Sequence, residues 1–158
     1  MDGATFRQII GNFATGCTVL TLPGESHGMT ANAVTSVSLD PPLVLVCVDH
    51  ETECHRRLST DADGYALTIL AEDQRDLGDH FADIEHIEGD PFKRRPTRTA
   101  VTGAPIFENG LAYLDCSVAA AHEAGDHTIY VGRVEDGETI DGDGDPLLFF
   151  RGEWDQFD

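Results

Sequence analysis

The sequence predicts a mainly β domain, a barrel with a few short helices. Six or seven segments read as strands, because they are short, rich in Val, Leu, Ile, Thr and aromatic residues, and bounded by turn residues. Only two or three segments carry helical spacing, and all are short. Strands do not alternate with helices and no G-x-G-x-x-G occurs, which disfavours a doubly wound dinucleotide fold. With 158 residues and 41% hydrophobic content, residues 1–158 fit a single domain with a real core.

The elements follow in order. ATFRQIIGNFATG places Phe6, Ile9, Ile10 and Phe13 at helical spacing, with Gly16 as a stop. CTVLTL and a strand starting at Met29 flank the turn PGESHG and predict a hairpin. Pro41 and Pro42 fix a turn before the apolar strand LVLVCVD. TECHRRLST suits a short helix with Thr52 as N-cap. The strand YALTIL precedes a helix from Asp73 to Phe81, and polar residues 83–104 read as a long loop. LAYLDCSVAAAHEA, HTIYVGRVEDG and PLLFFRGEW supply the last strands. DGETIDGDGDP lacks the spacing of a calcium loop and reads as a solvated acidic turn.

Charge narrows the function. There are 29 acidic residues against 10 basic ones, with Lys93 the only lysine, for a net charge of -19. Nucleic-acid phosphate is thereby disfavoured as a partner, since binding it rests on neutralisation by Lys and Arg. The carboxylates are spread between apolar segments, which points to a folded, salt-adapted protein of halophilic character rather than a disordered tail. No run of 18 apolar residues predicts a membrane span, and MDGATFRQII has no signal-peptide pattern, so the expected location is cytoplasmic. Cys17, Cys47, Cys54 and Cys116 form no CxxC pair, and no histidine stands at metal-ligand spacing. No metal site is expected.

Two stretches are candidates for chemistry. TANAVTSVS, Thr30 to Ser38, is small and hydroxyl-rich: either a strand-turn satisfying its own backbone, or a cradle in which small residues let a flat ligand reach main-chain N–H groups. Thr52 offers a further hydroxyl nearby. In GDHTIYVGRVEDGE, His127 enters a strand after a Gly turn. It either bonds a loop carbonyl or donates a hydrogen bond to a reacting ligand.

Together, TANAVTSVSLDPPLVLVCVD, ILAEDQ, Phe81-Ala82, TGAPIF and GDHTIYVGRVEDG resemble the flavin reductase-like family of FMN-binding split barrels, in the family's order and over nearly the whole chain. The resemblance implies a Greek-key split β-barrel, usually a homodimer, with FMN or FAD as cofactor or substrate and NADH or NADPH as hydride donor. It also implies a monooxygenase component as the consumer of reduced flavin. On this resemblance Thr30, Ala31 and Asn32 face the isoalloxazine edge. Thr35, Ser36, Val37 and Ser38 complete the cradle. Cys47, Val48 and Asp49 line the ribityl path, Thr52 lies near the phosphate, and Phe81 and Ala82 close the pocket. His127 sits where the nicotinamide approaches, as a positioning or electrostatic group for hydride transfer from nicotinamide C4 to flavin N5. The chain departs from the family's pattern at Glu51, Thr52 and Cys54, at Pro91 and at Thr68. A non-catalytic flavin binder and a reductase of another acceptor, such as ferric chelate, stand as alternatives.

Overall fold

The computed structural model describes residues 1–24 and 26–157; Glu25, within the predicted PGESHG turn, lies outside them. In chain order the elements are α1 (Gly3–Ile10), β1 (Thr15–Gly16), β2 (Thr18–Thr21), β3 (Gly28–Ala31), β4 (Val34–Leu39), β5 (Pro42–Asp49), α2 (Glu53–Leu58) and β6 (Gly64–Ile69). Then come α3 (Arg75–Phe81), preceded by a 3₁₀ turn at Glu72–Gln74, α4 (Pro91–Arg94), β7 (Thr97–Arg98) and β8 (Ile106–Phe107). The chain ends with β9 (Ala112–Ala124), β10 (His127–Thr139), β11 (Leu148–Phe150) and β12 (Glu153–Asp155). None of the described helices is long and apolar enough to cross a membrane.

Seven strands form one antiparallel sheet in the order β3-β2-β6-β9-β10-β5-β4. Its two edges, β3 and β4, are consecutive in sequence and joined only by Asn32 and Ala33. In a flat sheet these edges would lie roughly 29 Å apart at ~4.8 Å per strand. Three Cα–Cα steps reach only about 11 Å. The sheet must therefore curl until its edges approach, and Cys47 N–H on β5 donates to Ala33 O at 3.0 Å, extending the β4–β5 ladder into that short connection. The result is a split barrel, as expected from the sequence.

The period of two places the core. Along β2, Leu20 packs inside the barrel with Val44, Val46, Val48, Tyr65, Leu67 and Tyr130, while Val19 faces a second cluster with Leu70, Leu77 and Phe107 beneath α3. Hence all four residues of β2 are buried. On β5 the residues Val44, Val46 and Val48 point inward, and Cys47 and Asp49 take the outer face.

Several boundaries differ from the sequence expectation. The first helix ends at Ile10 with Gly11 as its cap, so Phe13 falls in a turn and Phe6, Ile9 and Ile10 remain exposed. Asp2 caps its start, accepting from Thr5 N–H at 2.8 Å. The long loop 83–104 contains α4, begun by an Asp90 cap with Pro91 at its first turn, and β7. PLLFFRGEW is a hairpin, not one strand, because Arg151 and Gly152 take positive φ (54° and 85°) and reverse the chain.

Candidate functional site

On the outer face of the barrel, at the seam, lies a cavity of about 380 Å³. Thr30, Ala31 and Asn32 line it from the end of β3, Cys47 and Asp49 from β5, and Thr52 from the cap of α2. Phe81 and Ala82 contribute from the end of α3, and His127 from the first residue of β10. These nine residues, predicted from sequence, are separated along the chain and brought together by the curl of the sheet. Met29, Ala33 and Asp83 line it as well.

Five predicted residues do not line the cavity. Val48 is fully buried in the barrel interior, because alternation along β5 turns it away from its neighbours Cys47 and Asp49. Thr35, Ser36, Val37 and Ser38 belong to the edge strand β4, with a register shift between Ser36 and Ser38. The hydroxyl of Thr35 donates to Ser36 O at 3.3 Å. The seam at Asn32 and Ala33 thus divides TANAVTSVS in two, and only its first part lines the cavity.

Each lining group has a local cause. Thr30 Oγ1 donates to Gly78 O at 2.7 Å, tying β3 to α3. The end of α3 closes as a Schellman motif: Asp83 N–H donates to His80 O and Ile84 N–H to Asp79 O, with Asp83 at φ 57°. Phe81 packs over Gly28, where a Cβ would lie 3.0 Å from Phe81 Cε1, so a larger residue there would press on the ring. Phe92 and Phe107 hold the ring from the other side at centroid distances of 5.5 and 5.8 Å. Thr52 Oγ1 accepts from His55 N–H at 3.1 Å and donates to Asp49 O at 2.8 Å, so both hydroxyl functions already serve the start of α2. Glu51, the acidic departure at this end, is exposed. Pro91 is buried at the start of α4, and Thr68 Oγ1 accepts from Phe107 N–H at 3.2 Å inside the core.

His127 follows the two-residue turn Gly125-Asp126, which joins Ala124 to His127 with Gly125 at φ 67°. Pairing with β5 sets His127 opposite Asp49. Its Nδ1 lies 2.7 Å from Asp126 Oδ1, and its side chain is 40% exposed. This hydrogen bond to His127 holds the Asp126 carboxyl below the usual carboxylate range. An ionised Asp126 requires the proton on Nδ1, which leaves Nε2 as acceptor in the neutral ring and donor in the cation.

Electrostatically the cavity is acidic. Among the described residues lining it there is no Lys or Arg, while Asp49 and Asp83 are both present. The small side chains of Ala31 and Ala33 beside the Phe81 ring fit a flat heterocycle of flavin size, and the volume accepts its ring system with part of a side chain. Three of the four cysteines, Cys17, Cys54 and Cys116, are buried, whereas Cys47 is half-buried on the cavity wall. Among the described residues no group of three or more His, Cys, Asp or Glu stands close enough to hold a metal ion.

The chain is similar in sequence and in fold to known proteins. Residues 10–158 match the model of the flavin reductase like domain. An NADH-dependent flavin reductase of Rhodococcus sp is 40% identical over 156 residues, covering 94% of this chain and 82% of that protein. The reductase subunit HsaB of a flavin-dependent monooxygenase from Mycobacterium tuberculosis is 35% identical over 158 residues, covering 98% of this chain and 82% of that one. The structure of the NADH:FAD oxidoreductase SgcE6 of Streptomyces globisporus C-1027, in complex with NAD and FAD fragments, superposes with a TM-score of 0.89 at 36% identity, covering 99% of this chain and 93% of that one.

Proposed function

The chain belongs to the flavin reductase-like family, and from that premise we propose that it is an NADH-dependent flavin reductase supplying reduced FMN or FAD to a monooxygenase partner. The carrying observation is the convergence of Thr30, Ala31, Asn32, Cys47, Asp49, Phe81, Ala82 and His127 on one seam cavity. The names of the Rhodococcus and Streptomyces relatives support NADH as donor, and that of the mycobacterial subunit supports a monooxygenase as consumer.

When bound, the flavin supplies a ring system that accepts hydride from the dihydronicotinamide. The protein's own residues bind and orient. Ala31, Asn32 and Ala33 keep the cavity floor low, so that two flat rings have room to meet at reacting distance. Phe81 forms an apolar wall, and His127, oriented by Asp126, presents Nε2 as a polar contact for whichever ring lies over it. Hydride transfer itself needs no acid or base, so His127 acts by placement and charge.

The acidic lining and the committed hydroxyl of Thr52 argue for flavin as an exchangeable substrate rather than a tightly held group, since the ligand's phosphate meets carboxylates and no cation. Homodimerisation belongs to the same reading, supported by the exposed apolar residues Val37 and Leu39 on β4 and Phe6, Ile9 and Ile10 on α1. So does a cytoplasmic location, supported by four cysteines that are all free. The test is anaerobic: protein in high salt, FMN or FAD, then NADH, followed at 340 nm and 450 nm. Flavin that NADH never bleaches would sink the reductase reading, and absence of flavin binding would sink any flavoprotein reading.

A further inference from the structure

We propose that His50 is a positioning residue that fixes His127 at the cavity by holding both of its chain neighbours. This rests on the reductase reading for its kinetic consequence, though not for its structural one. His127 is the first residue of β10, and strand ends fray unless something besides the ladder ties them down. His50 extends the ladder by one bond and adds a second tie outside it. Its main-chain N–H donates to Asp126 O at 3.0 Å, and its ring Nε2 lies 2.9 Å from Thr128 Oγ1. Asp126 and Thr128 flank His127, and Asp126 is also the residue whose carboxylate orients the His127 ring. One histidine therefore holds the segment on each side of the other.

His50 is itself braced. The ring of His55, on α2, lies 4.6 Å from that of His50 at an interplanar angle of 38°. His55 Nδ1 lies 2.9 Å from the hydroxyl of Tyr130, whose carbonyl accepts from Tyr65 OH at 3.2 Å. Tyr130 and Tyr65 are core residues, so the rigidity of the barrel interior reaches the strand entrance through a run of ring and hydrogen-bond contacts. Thr128 is buried, so its hydroxyl has a defined place for the His50 ring to find. Hydride transfer depends steeply on the placement of the reacting rings, which makes a group that fixes the neighbouring contact visible in kcat.

The experiment compares wild type, His50→Ala, Thr128→Val, the double variant and His50→Gln, with His122→Ala as an exposed-histidine control. Expected for His50→Ala are a kcat lower by about ten- to a hundredfold, flavin Kd within about threefold of wild type, and faster amide exchange at residues 126–128. Thr128→Val should do the same, and the double variant should be no worse than His50→Ala, since both remove one bond. His50→Gln, which keeps a side-chain amide for the Thr128 hydroxyl, should recover most of the loss. A kcat of His50→Ala within twofold of wild type, or effects of the two single variants that multiply, would overturn the proposal. If His50→Ala does not fold, Thr128→Val and His50→Gln carry the same comparison. Wild-type protein that leaves NADH unoxidised would overturn the reductase reading alone, and amide exchange at 126–128 would still decide whether His50 holds that segment.

Discussion

Gly28→Ala adds one methyl group at the wall of the cavity. The new Cβ would lie 3.0 and 3.1 Å from Phe81 Cε1 and Cδ1, and 3.1 Å from Leu20 O. Ordinary contact needs ~3.5 Å or more, so something must move by about half an ångström. Leu20 belongs to the paired β2–β3 ladder and is held, which leaves the Phe81 ring to yield, against Phe92 and Phe107 behind it. Overpacking of this kind costs about 1–3 kcal/mol. Replacing a strand glycine by alanine returns about 0.5–1 kcal/mol. The net loss of about 0–2.5 kcal/mol lowers Tm by up to about 10 °C for a chain of this size. Displacing Phe81 also removes an aromatic wall contact of ~0.5–1.5 kcal/mol from a bound flavin ring. That is about a two- to tenfold rise in Kd. Thermal unfolding at fixed salt and flavin fluorescence titration read the two effects. In a Phe81→Leu background the added methyl should cost little. If Gly28→Ala keeps both Tm and Kd, the close approach of the ring is not what the structure depends on. An equal cost in both backgrounds would instead assign the clash to Leu20 O.

Other expectations follow from the same geometry. His127→Ala should slow flavin reduction by about tenfold with flavin affinity near normal, read by anaerobic stopped flow; loss of flavin binding would give the residue a different task. Asp83→Asn keeps a residue type that tolerates positive φ and removes a carboxylate from the cavity, so flavin Kd in dilute buffer should fall by about two- to fivefold, measured by titration. Burial pushes the thiols of Cys17, Cys54 and Cys116 up to about 12 from the ordinary 9.0. A folded pKa above the unfolded one means their contribution is fully present below pH 9 and lost as pH rises toward 12, so the denaturant midpoint should fall across that window. With a net charge of -19, Tm and flavin affinity should both rise from dilute buffer to molar KCl, and salt-independence of Tm would remove the case for salt adaptation.

Sequence pattern carried the strands well because most are short apolar runs with turn residues at both ends. It failed where one residue's backbone decides the path. In PLLFFRGEW the polar interruption Arg151-Gly152-Glu153 is too short to be read as a turn without the positive φ of Arg151 and Gly152, which makes it a hairpin. Asp90 and Pro91 did carry a helix-start signal inside the polar loop, but four residues of helix leave no periodicity to read. The residues that line the cavity were named through resemblance, whereas their facing was not legible. Val48 stands between two lining residues and points the other way, a distinction that period-two alternation supplies once the inward face of β5 is known. Asp83 was missed because an aspartate in the left-handed position of a helix end looks like any loop acid. His50 was illegible as a brace, since its partners Asp126 and Thr128 lie far along the chain and meet it only through the pairing of β5 with β10.

A ligand bound at the seam between β3 and β4, as proposed, would be a fastener as well as a reactant. A molecule seated there touches the end of one sheet edge, the outer face of β5 beside the other, and the helix that covers the first. Prying the edges apart requires that it leave, so its binding energy adds to the resistance against opening by mass action. If flavin is that molecule, as proposed, free flavin should slow proteolysis at the sheet edges increasingly as its concentration rises above Kd.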